Sequence, residues 1–137
     1  MEFLSTFRVC ASGLAAQKTK MDVIVSNLAN VNTTRTPEGG AYKRKTAVFS
    51  SEPVGPGFDE TLRMVKVEGI VEDKNSVKRV FNPSHPDADE RGIVAMPDIN
   101  TVTEMADMLT ANRAYEACVT AFDATKNMAL KTLELGK

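Results

Sequence analysis

A serine, a histidine and several carboxylates lie close together in residues 82–92. Ser84, His85 and Asp87 are the residue types of a serine-hydrolase triad, so a hydrolase is one functional hypothesis. A triad requires side chains that converge on one point, whereas neighbours in an extended segment point apart. His85 is also the single histidine of the chain. We therefore expect this protein not to be an enzyme.

The carboxylates of the same segment raise the question of a metal site. The spaced acidic ligands and central glycine of a 12-residue calcium loop are missing, as are a glycine-rich phosphate loop, a CxxC pair and HExxH. Carboxylates in such loops commonly cap neighbouring amides. We expect no metal and no other cofactor. Two prolines prevent regular structure here, so His85, Asp87 and Asp89 are expected in a loop, fixed or flexible, that contacts a partner.

Hydrophobic residues at heptad spacing predict a long helix at each end of the chain. Each pattern spans 28 residues, roughly 42 Å of helix, so the two are equal in length. At the N-terminus, eight of nine positions are apolar or Cys: Phe3, Phe7, Cys10, Leu14, Gln17, Met21, Ile24, Leu28 and Val31. At the C-terminus, seven of nine are apolar: Met105, Met108, Asn112, Tyr115, Val119, Phe122, Lys126, Ala129 and Leu133.

Helices of equal length can pack antiparallel with blunt ends. That register pairs Phe3 with Leu133, Leu14 with Phe122, Met21 with Tyr115, and Leu28 with Met108, although a slip of one heptad keeps the same pattern. Asn112 and Lys126 either fix the register or are an ordinary buried Asn and a snorkelling Lys. In the blunt register Cys10 and Cys118 lie roughly 12 Å apart along the axis, so we expect free thiols.

The middle of the chain predicts short strands and turns. The first helix should end near Asn30 to Thr33, where residues that compete with helical hydrogen bonds begin. A capping box, Thr101-Val-Thr-Glu104, places the start of the last helix. Between them we expect a charged edge strand over 42–50, a loop over 53–57, a hairpin of 62–72 with 77–81, and a short strand over 93–96.

The predicted fold class is therefore α+β, with two long terminal helices that form an antiparallel coiled-coil-like pair and a small inserted β-rich lobe. Residues 1–34 and 98–137 form a discontinuous helical domain, and residues 35–97 form the lobe. Two paired helices cover only one stripe each, which leaves other faces for copies or other chains. A cytosolic homodimeric coiled-coil adapter or interaction module is one functional hypothesis that follows.

Composition and charge exclude several partners. The net charge of 137 residues is −1, which gives no basic field for nucleic acid or an anionic membrane. No run approaches the roughly 18 apolar residues of a membrane span, so we expect no direct membrane insertion. The start lacks a cationic region followed by an apolar block, so we expect no cleavable signal peptide.

Several segments resemble a known family. Ser-Asn-Leu-Ala-Asn-Val-Asn-Thr, residues 26–33, resembles the signature that closes the first helix of bacterial flagellar axial proteins. Other segments are similar to the flagellar basal-body rod protein FlgC family, and the Pro-rich loop is the most specific of them. The similar segments lie at 82–89, 92–94, 96–100, 104–105, 112–117 and 130–136. They are spread from residue 26 to residue 136, and the resemblance extends over nearly the whole chain.

The resemblance implies a structural subunit of the proximal rod, which carries motor torque across the periplasm. It implies export by the flagellar type III apparatus, helical assembly with itself and other rod proteins, and a position near the motor ring. We expect the helices to line the inner layer of the rod, with the lobe outside and with ends partly disordered in the isolated subunit. The expected assembly residues are Phe3, Phe7, Leu14, Met21, Ile24, Asn27, Leu28, Asn30, Met105, Met108, Asn112, Tyr115, Val119, Phe122 and Leu133.

Overall fold

The fold was obtained as a computed structural model that describes residues 2–55 and 62–136. Four strands lie in the sequence between a 28-residue helix α1 and a 35-residue helix α2, which confirms the predicted α+β class. Pro56 and Gly57 of the predicted loop lie outside the described residues. The elements are α1 Glu2–Ala29, β1 Lys45–Pro53, β2 Arg63–Glu72, β3 Val77–Phe81, β4 Ile93–Pro97 and α2 Thr101–Leu135.

Neither described helix combines the length and the hydropathy that a bilayer crossing requires.

The end of α1 is closed by the side chain of Asn30. Its Nδ2 donates to the Ser26 carbonyl at 2.8 Å, and its Oδ1 accepts from the Thr33 hydroxyl at 3.1 Å. Asn and Thr side chains that bind nearby backbone in this way compete with further helical hydrogen bonds. The helix therefore stops just before the point that the sequence predicted, at Ala29.

The start of α2 is capped one residue earlier than predicted. Asn100 Oδ1 accepts from the amides of Val102 and Thr103, at 3.0 and 3.3 Å, so Asn100 and not Thr101 is the N-cap. Asn caps as well as Ser or Thr does. The Glu104 carboxylate, expected to complete the capping box, instead binds Asn27 and Arg44. The predicted position of the helix start is right, but the predicted cap is wrong.

The strands pair in two two-stranded sheets, β1 with β2 and β3 with β4. In the second sheet the strands run antiparallel, with Val77 opposite Pro97, Val80 opposite Val94 and Phe81 opposite Ile93. On the first sheet, exposed Lys66 donates a hydrogen bond to Glu52, which raises the pKa of the Lys66 ammonium above its usual value. Such an exposed pair adds little to stability.

The predicted hairpin of 62–72 with 77–81 is wrong, because the backbone after β2 is held by other segments. The Asp73 amide donates to the Arg44 carbonyl at 2.8 Å, and the Arg44 amide donates to Ser76 Oγ at 2.8 Å. The Asp98 amide then donates to the Ser76 carbonyl at 2.6 Å. These bonds direct the chain away from β2, so β3 pairs with β4, the short strand predicted over 93–96.

The chain divides into two compact units. One contains the described residues of 1–21, 47–69 and 109–137, and the other contains 22–46 and 70–108. In the second unit, buried apolar side chains from α1, from β4 and from the segments that connect the elements form the core: Val23, Ile24, Ala41, Tyr42, Val94 and Ile99. The predicted division into a helical domain and a β-rich lobe stays a prediction.

Candidate assembly surface and the Asn27 cluster

One face of α2 is buried within the chain, and its positions follow a heptad pattern. Every member is buried or half-buried, which is typical of a helix that packs over most of its length. The members of this buried face are Glu104, Met108, Ala111, Tyr115, Cys118, Phe122, Thr125 and Ala129. Three residues predicted as assembly contacts, Met108, Tyr115 and Phe122, therefore lie inside the chain.

The other predicted residues of α2 lie next to this buried face, not on it. Met105, Asn112, Val119 and Leu133 are all exposed. The heptad pattern starting at Met105 was therefore displaced by one residue from the pattern that packs, which starts at Glu104. The reason is that Glu104 and Thr125 are polar, and a search for apolar spacing passes over them.

The predicted residues of α1 are mostly covered. Ile24 and Asn27 are buried, and Phe3 is exposed. The remaining ones are half-buried: Phe7, Leu14, Met21, Leu28 and Asn30.

The two helices pack one heptad away from the blunt register. The Phe7 and Phe122 rings meet edge to face, with centroids 4.8 Å apart and planes at 64°, where the blunt register placed Leu14 against Phe122. A Cβ atom built on Gly13 would lie 3.1 Å from Cys118 Sγ, so residue numbers rise on α1 as they fall on α2. The helices are antiparallel as predicted, but α2 is seven residues longer (35 less 28), so their ends do not align.

Because Phe122 is level with Phe7, the last turns of α2 extend past the described start of α1. Their apolar side chains remain exposed, 70% for Leu133 and 89% for Leu135. A row of heptad-spaced positions runs along α2 beside the buried face, apolar near both ends of the helix and at Val119, and polar at Asn112, Glu116, Asp123 and Lys126. Its apolar members are Val102, Met105, Leu109, Val119, Leu130 and Leu133, all exposed. We call this set the exposed stripe. Exposed apolar side chains grouped in this way are typical of surfaces that contact another protein.

A buried polar cluster joins α1 to two other segments of the second unit. Asn27 is 1% exposed, yet both its amide hydrogens and both its oxygen lone pairs are used. Nδ2 donates to the Lys45 carbonyl at 2.9 Å and to Glu104 Oε2 at 3.1 Å. Oδ1 accepts from the Lys45 amide at 2.9 Å and the Tyr42 hydroxyl at 3.1 Å. Asn27 thus holds α2, Tyr42 and the first residue of β1.

The charge in this cluster belongs to Glu104 and Arg44. Arg44 Nε donates to Glu104 Oε1 at 2.7 Å, a charge-assisted bond to a carboxylate that is itself 1% exposed. Asp107, one turn along α2, lies 4.0 Å from the same guanidinium and is much more exposed. Ser26 completes the group through a 3.0 Å hydrogen bond with the Tyr42 hydroxyl. We call Ser26, Asn27, Tyr42, Arg44 and Glu104 the Asn27 cluster.

Sequence reasoning identified Asn27 but missed Tyr42, Arg44 and Glu104. Arg44 was interpreted as a charge that guards an edge strand, and Glu104 as half of a capping box. One signal was available: Glu104 falls on the same heptad as Ala111, Cys118 and Thr125, where an isolated carboxylate must find a cation. The identity of that cation, 60 residues earlier, had no signal of its own.

The Pro-rich loop is fixed by its own hydrogen bonds. Asp89 Oδ1 accepts from the amides of Arg91 and Ile93, at 2.9 and 2.8 Å, so this carboxylate closes the loop. His85 Nδ1 accepts from the Asp87 amide at 3.1 Å, and Asp87 Oδ2 accepts from the Thr34 hydroxyl at 2.8 Å. Each side chain therefore bonds to a different group, and the three do not converge. Within the described residues, no three His, Cys, Asp or Glu side chains group as metal ligands.

Known flagellar basal-body rod proteins are similar to this protein over its full length. Residues 7–35 match the family model of the flagella basal body rod protein, and residues 90–135 match that of the flagellar basal body rod FlgEFG protein C-terminal region. The flagellar basal-body rod protein FlgC of Borreliella burgdorferi is 38% identical over 149 residues, covering 98% of each chain. FlgC of Bacillus subtilis and of Salmonella typhimurium are 38% and 37% identical, each covering 100% of both chains.

Proposed function

The chain belongs to the flagellar basal-body rod protein FlgC family, and from that membership we propose how it works in the rod. It is a structural subunit of the proximal rod. Its exposed stripe binds neighbouring subunits, and repetition of that contact from copy to copy builds the rod. A contact of this heterologous kind, which does not close into a ring, produces a helical tube.

The observation that carries the proposal is the exposed stripe on α2. A monomeric protein seldom leaves six large apolar side chains along one edge of a helix uncovered, and their heptad spacing suits contact with another helix. The predicted contacts Met105, Val119 and Leu133 lie on this stripe, whereas the buried face is already used within the chain. Assembly is therefore proposed to use the stripe and to leave the α1–α2 contact intact.

Torque transmission needs a stiff subunit, and two features of this chain supply stiffness. The buried face packs α2 closely, and the Asn27 cluster fixes α1 and α2 to β1 through fully paired buried groups. We place the helices in the inner layer of the rod, with the β-rich lobe outside. The isolated subunit is proposed to be partly disordered at its ends, where the last turns of α2 lack a covering helix.

The proposal extends to partners and place. Other rod proteins, the motor ring and the flagellar type III export apparatus are its proposed partners, and the periplasmic part of the basal body is its proposed location. No catalytic role is proposed, since His85 and Asp87 bond within their own loop and beyond it to Thr34. The alternative of a cytosolic adapter is not favoured, because the full-length relatives are named as basal-body rod proteins.

Replacement of Val119 by Asp tests the stripe, with Ala124→Asp as the matched control. Both positions are exposed on α2, so neither change should unfold the purified chain, as followed by circular dichroism. In a host strain that lacks its own FlgC, the Val119→Asp chain should be made and exported but yield few rods and little swimming. The Ala124→Asp chain should restore both. Normal rods with Val119→Asp, counted in isolated basal bodies by electron microscopy, would contradict the proposal.

A further inference from the structure

The observed register brings the two cysteines of the chain to one level of the helix pair. Cys10 lies three residues after Phe7 on α1, and Cys118 lies four residues before Phe122 on α2. Because the helices are antiparallel, both steps lead one turn away from the ring pair in the same direction. Cys10 and Cys118 therefore occupy the layer next to the Phe7–Phe122 contact.

A glycine makes the helices approach closely in that layer. A Cβ atom on Gly13 would lie 3.1 Å from Cys118 Sγ, which is tighter than ordinary packing, so Cys118 fits because Gly13 has no side chain. Residues three apart on a helix have Cβ atoms about 5–6 Å apart, which puts Cys10 beside the position that Cys118 Sγ faces. A disulfide needs Cα atoms within about 7 Å, a separation that closely packed helices provide.

We propose that Cys10 and Cys118 form an intrachain disulfide that fixes the register of α1 against α2 when the chain meets an oxidant that itself carries a disulfide. One cysteine thiolate attacks the oxidant disulfide, forms a mixed disulfide and releases one thiol of the oxidant. The second cysteine thiolate then attacks the protein sulfur of that mixed disulfide, forms the Sγ–Sγ bond and releases the other thiol. The two cysteines lose two protons and two electrons, and the oxidant is reduced to two thiols.

Both side chains are free thiols and half-buried, so the reagent has access to them without unfolding the chain. The compartment in which the reaction takes place rests on the proposed function. In the reducing cytoplasm both thiols persist, whereas the periplasm is kept oxidising by disulfide-carrying proteins. The disulfide would then form after export. Its effect would be to hold α1 and α2 in the observed register, with Phe7 against Phe122, while subunits add to the rod.

Thiol–disulfide exchange on the purified full chain tests the proposal. The chain is incubated with oxidised glutathione, and remaining thiols are alkylated at timed intervals. We expect loss of both thiols, a faster-migrating monomer on a non-reducing gel, and a linked peptide pair containing Cys10 and Cys118 by mass spectrometry. Closure should be roughly 100-fold faster than for the same chain in denaturant. Oxidation should raise Tm by on the order of 10 °C.

The matched control moves one thiol around the helix. In the double variant Cys10→Ser with Ala11→Cys, the thiol turns by about 100° to an exposed position, while the loop that a disulfide closes is almost unchanged. This variant should close on the order of 10-fold more slowly in buffer and at the same rate in denaturant.

Equal rates for the two chains in buffer, or disulfides formed only between chains, would overturn the proposal. The assay needs no rod, so its failure would leave the exposed stripe untouched. Conversely, loss of rods with Val119→Asp would not alter the closure rate.

Discussion

Asn27 on α1 and Glu104 on α2 are joined by a 3.1 Å hydrogen bond from Nδ2 to Oε2, and each residue is 1% exposed. A carboxylate at this depth is destabilising unless a cation and hydrogen bonds compensate for its lost hydration. Arg44 supplies the cation at 2.7 Å, and Asn27 supplies the second bond. Two helices and the segment before β1 therefore depend on one carboxylate.

Replacement of Glu104 by Ala should destabilise the chain by about 2 kcal/mol, because buried Asn27 loses one of its two acceptors and Arg44, which is 32% exposed, loses its charged partner. Asp107→Ala is the matched control. That carboxylate lies 4.0 Å from the same guanidinium but is 44% exposed, so its loss should change stability by less than about 0.5 kcal/mol. Urea unfolding of the purified variants gives the free energy of unfolding of each. A similar decrease in both variants would contradict the conclusion that the buried Glu104 carboxylate is the one that stabilises the chain.

The register of the helices predicts a coupling energy between Phe7 and Phe122. A double-mutant cycle with Phe7→Leu and Phe122→Leu should give about 1 kcal/mol, since the rings meet edge to face at 4.8 Å. The same cycle with Leu14→Ala and Phe122→Leu should give less than about 0.5 kcal/mol, because one heptad separates Leu14 from the ring pair. A larger coupling energy for Leu14 with Phe122 than for Phe7 with Phe122 would support the blunt register instead.

Gly39 and Gly92 both have a positive φ, but only Gly92 lacks space for a Cβ atom. Replacing each by Ala therefore distinguishes the cost of backbone strain from the cost of a steric clash. Gly39, at +91°, has open space where a Cβ would be, so Gly39→Ala should cost about 1 kcal/mol from backbone strain alone. Gly92, at +73°, would place its Cβ 3.0 Å from the Phe81 ring and 3.1 Å from Pro83 Cβ. Gly92→Ala should therefore cost about 1–2 kcal/mol more than Gly39→Ala. Chemical denaturation gives both; a Gly92 variant no worse than the Gly39 variant would argue against this loop packing.

The carboxylate that closes the Pro-rich loop should protect a specific amide. Asp89→Ala removes the acceptor of the Ile93 amide, so hydrogen exchange at Ile93 should speed up about fivefold, which corresponds to a loss of about 1 kcal/mol. Glu90→Ala, at the next exposed position, should leave that exchange rate unchanged. Faster exchange in both variants would show that the loop is held together in some other way.

The sequence was sufficient for the elements whose signals are local. Asn30, Thr33 and their neighbours end α1 by bonds within the same turn, and Asn100 caps α2 within three residues, so the start of α2 was predictable to about one residue and the end of α1 to within a few residues. The heptad spacing of Met108, Tyr115 and Phe122 likewise identified half of the buried face.

The other half depends on partners far away in the chain. Counting apolar residues favours Met105 and Val119, yet Glu104 is buried in the neighbouring position because Arg44 neutralises it. Thr125 is buried there because its hydroxyl donates to the Ala121 carbonyl at 2.9 Å. The pairing of β3 with β4 follows in the same way from backbone bonds of Arg44 and Asp98 to Ser76, which no local pattern reveals.

The distribution of the Asn27 cluster along the chain sets the order in which this protein can mature. Asn27 and Arg44 leave the ribosome early, but their shared acceptor Glu104 follows only after roughly three-quarters of the sequence has been made. Until then the Asn27 amide and the Arg44 guanidinium lack this carboxylate, and the cluster stays incomplete. The link that this cluster makes between α1 and α2 is therefore among the late contacts of the newly made chain.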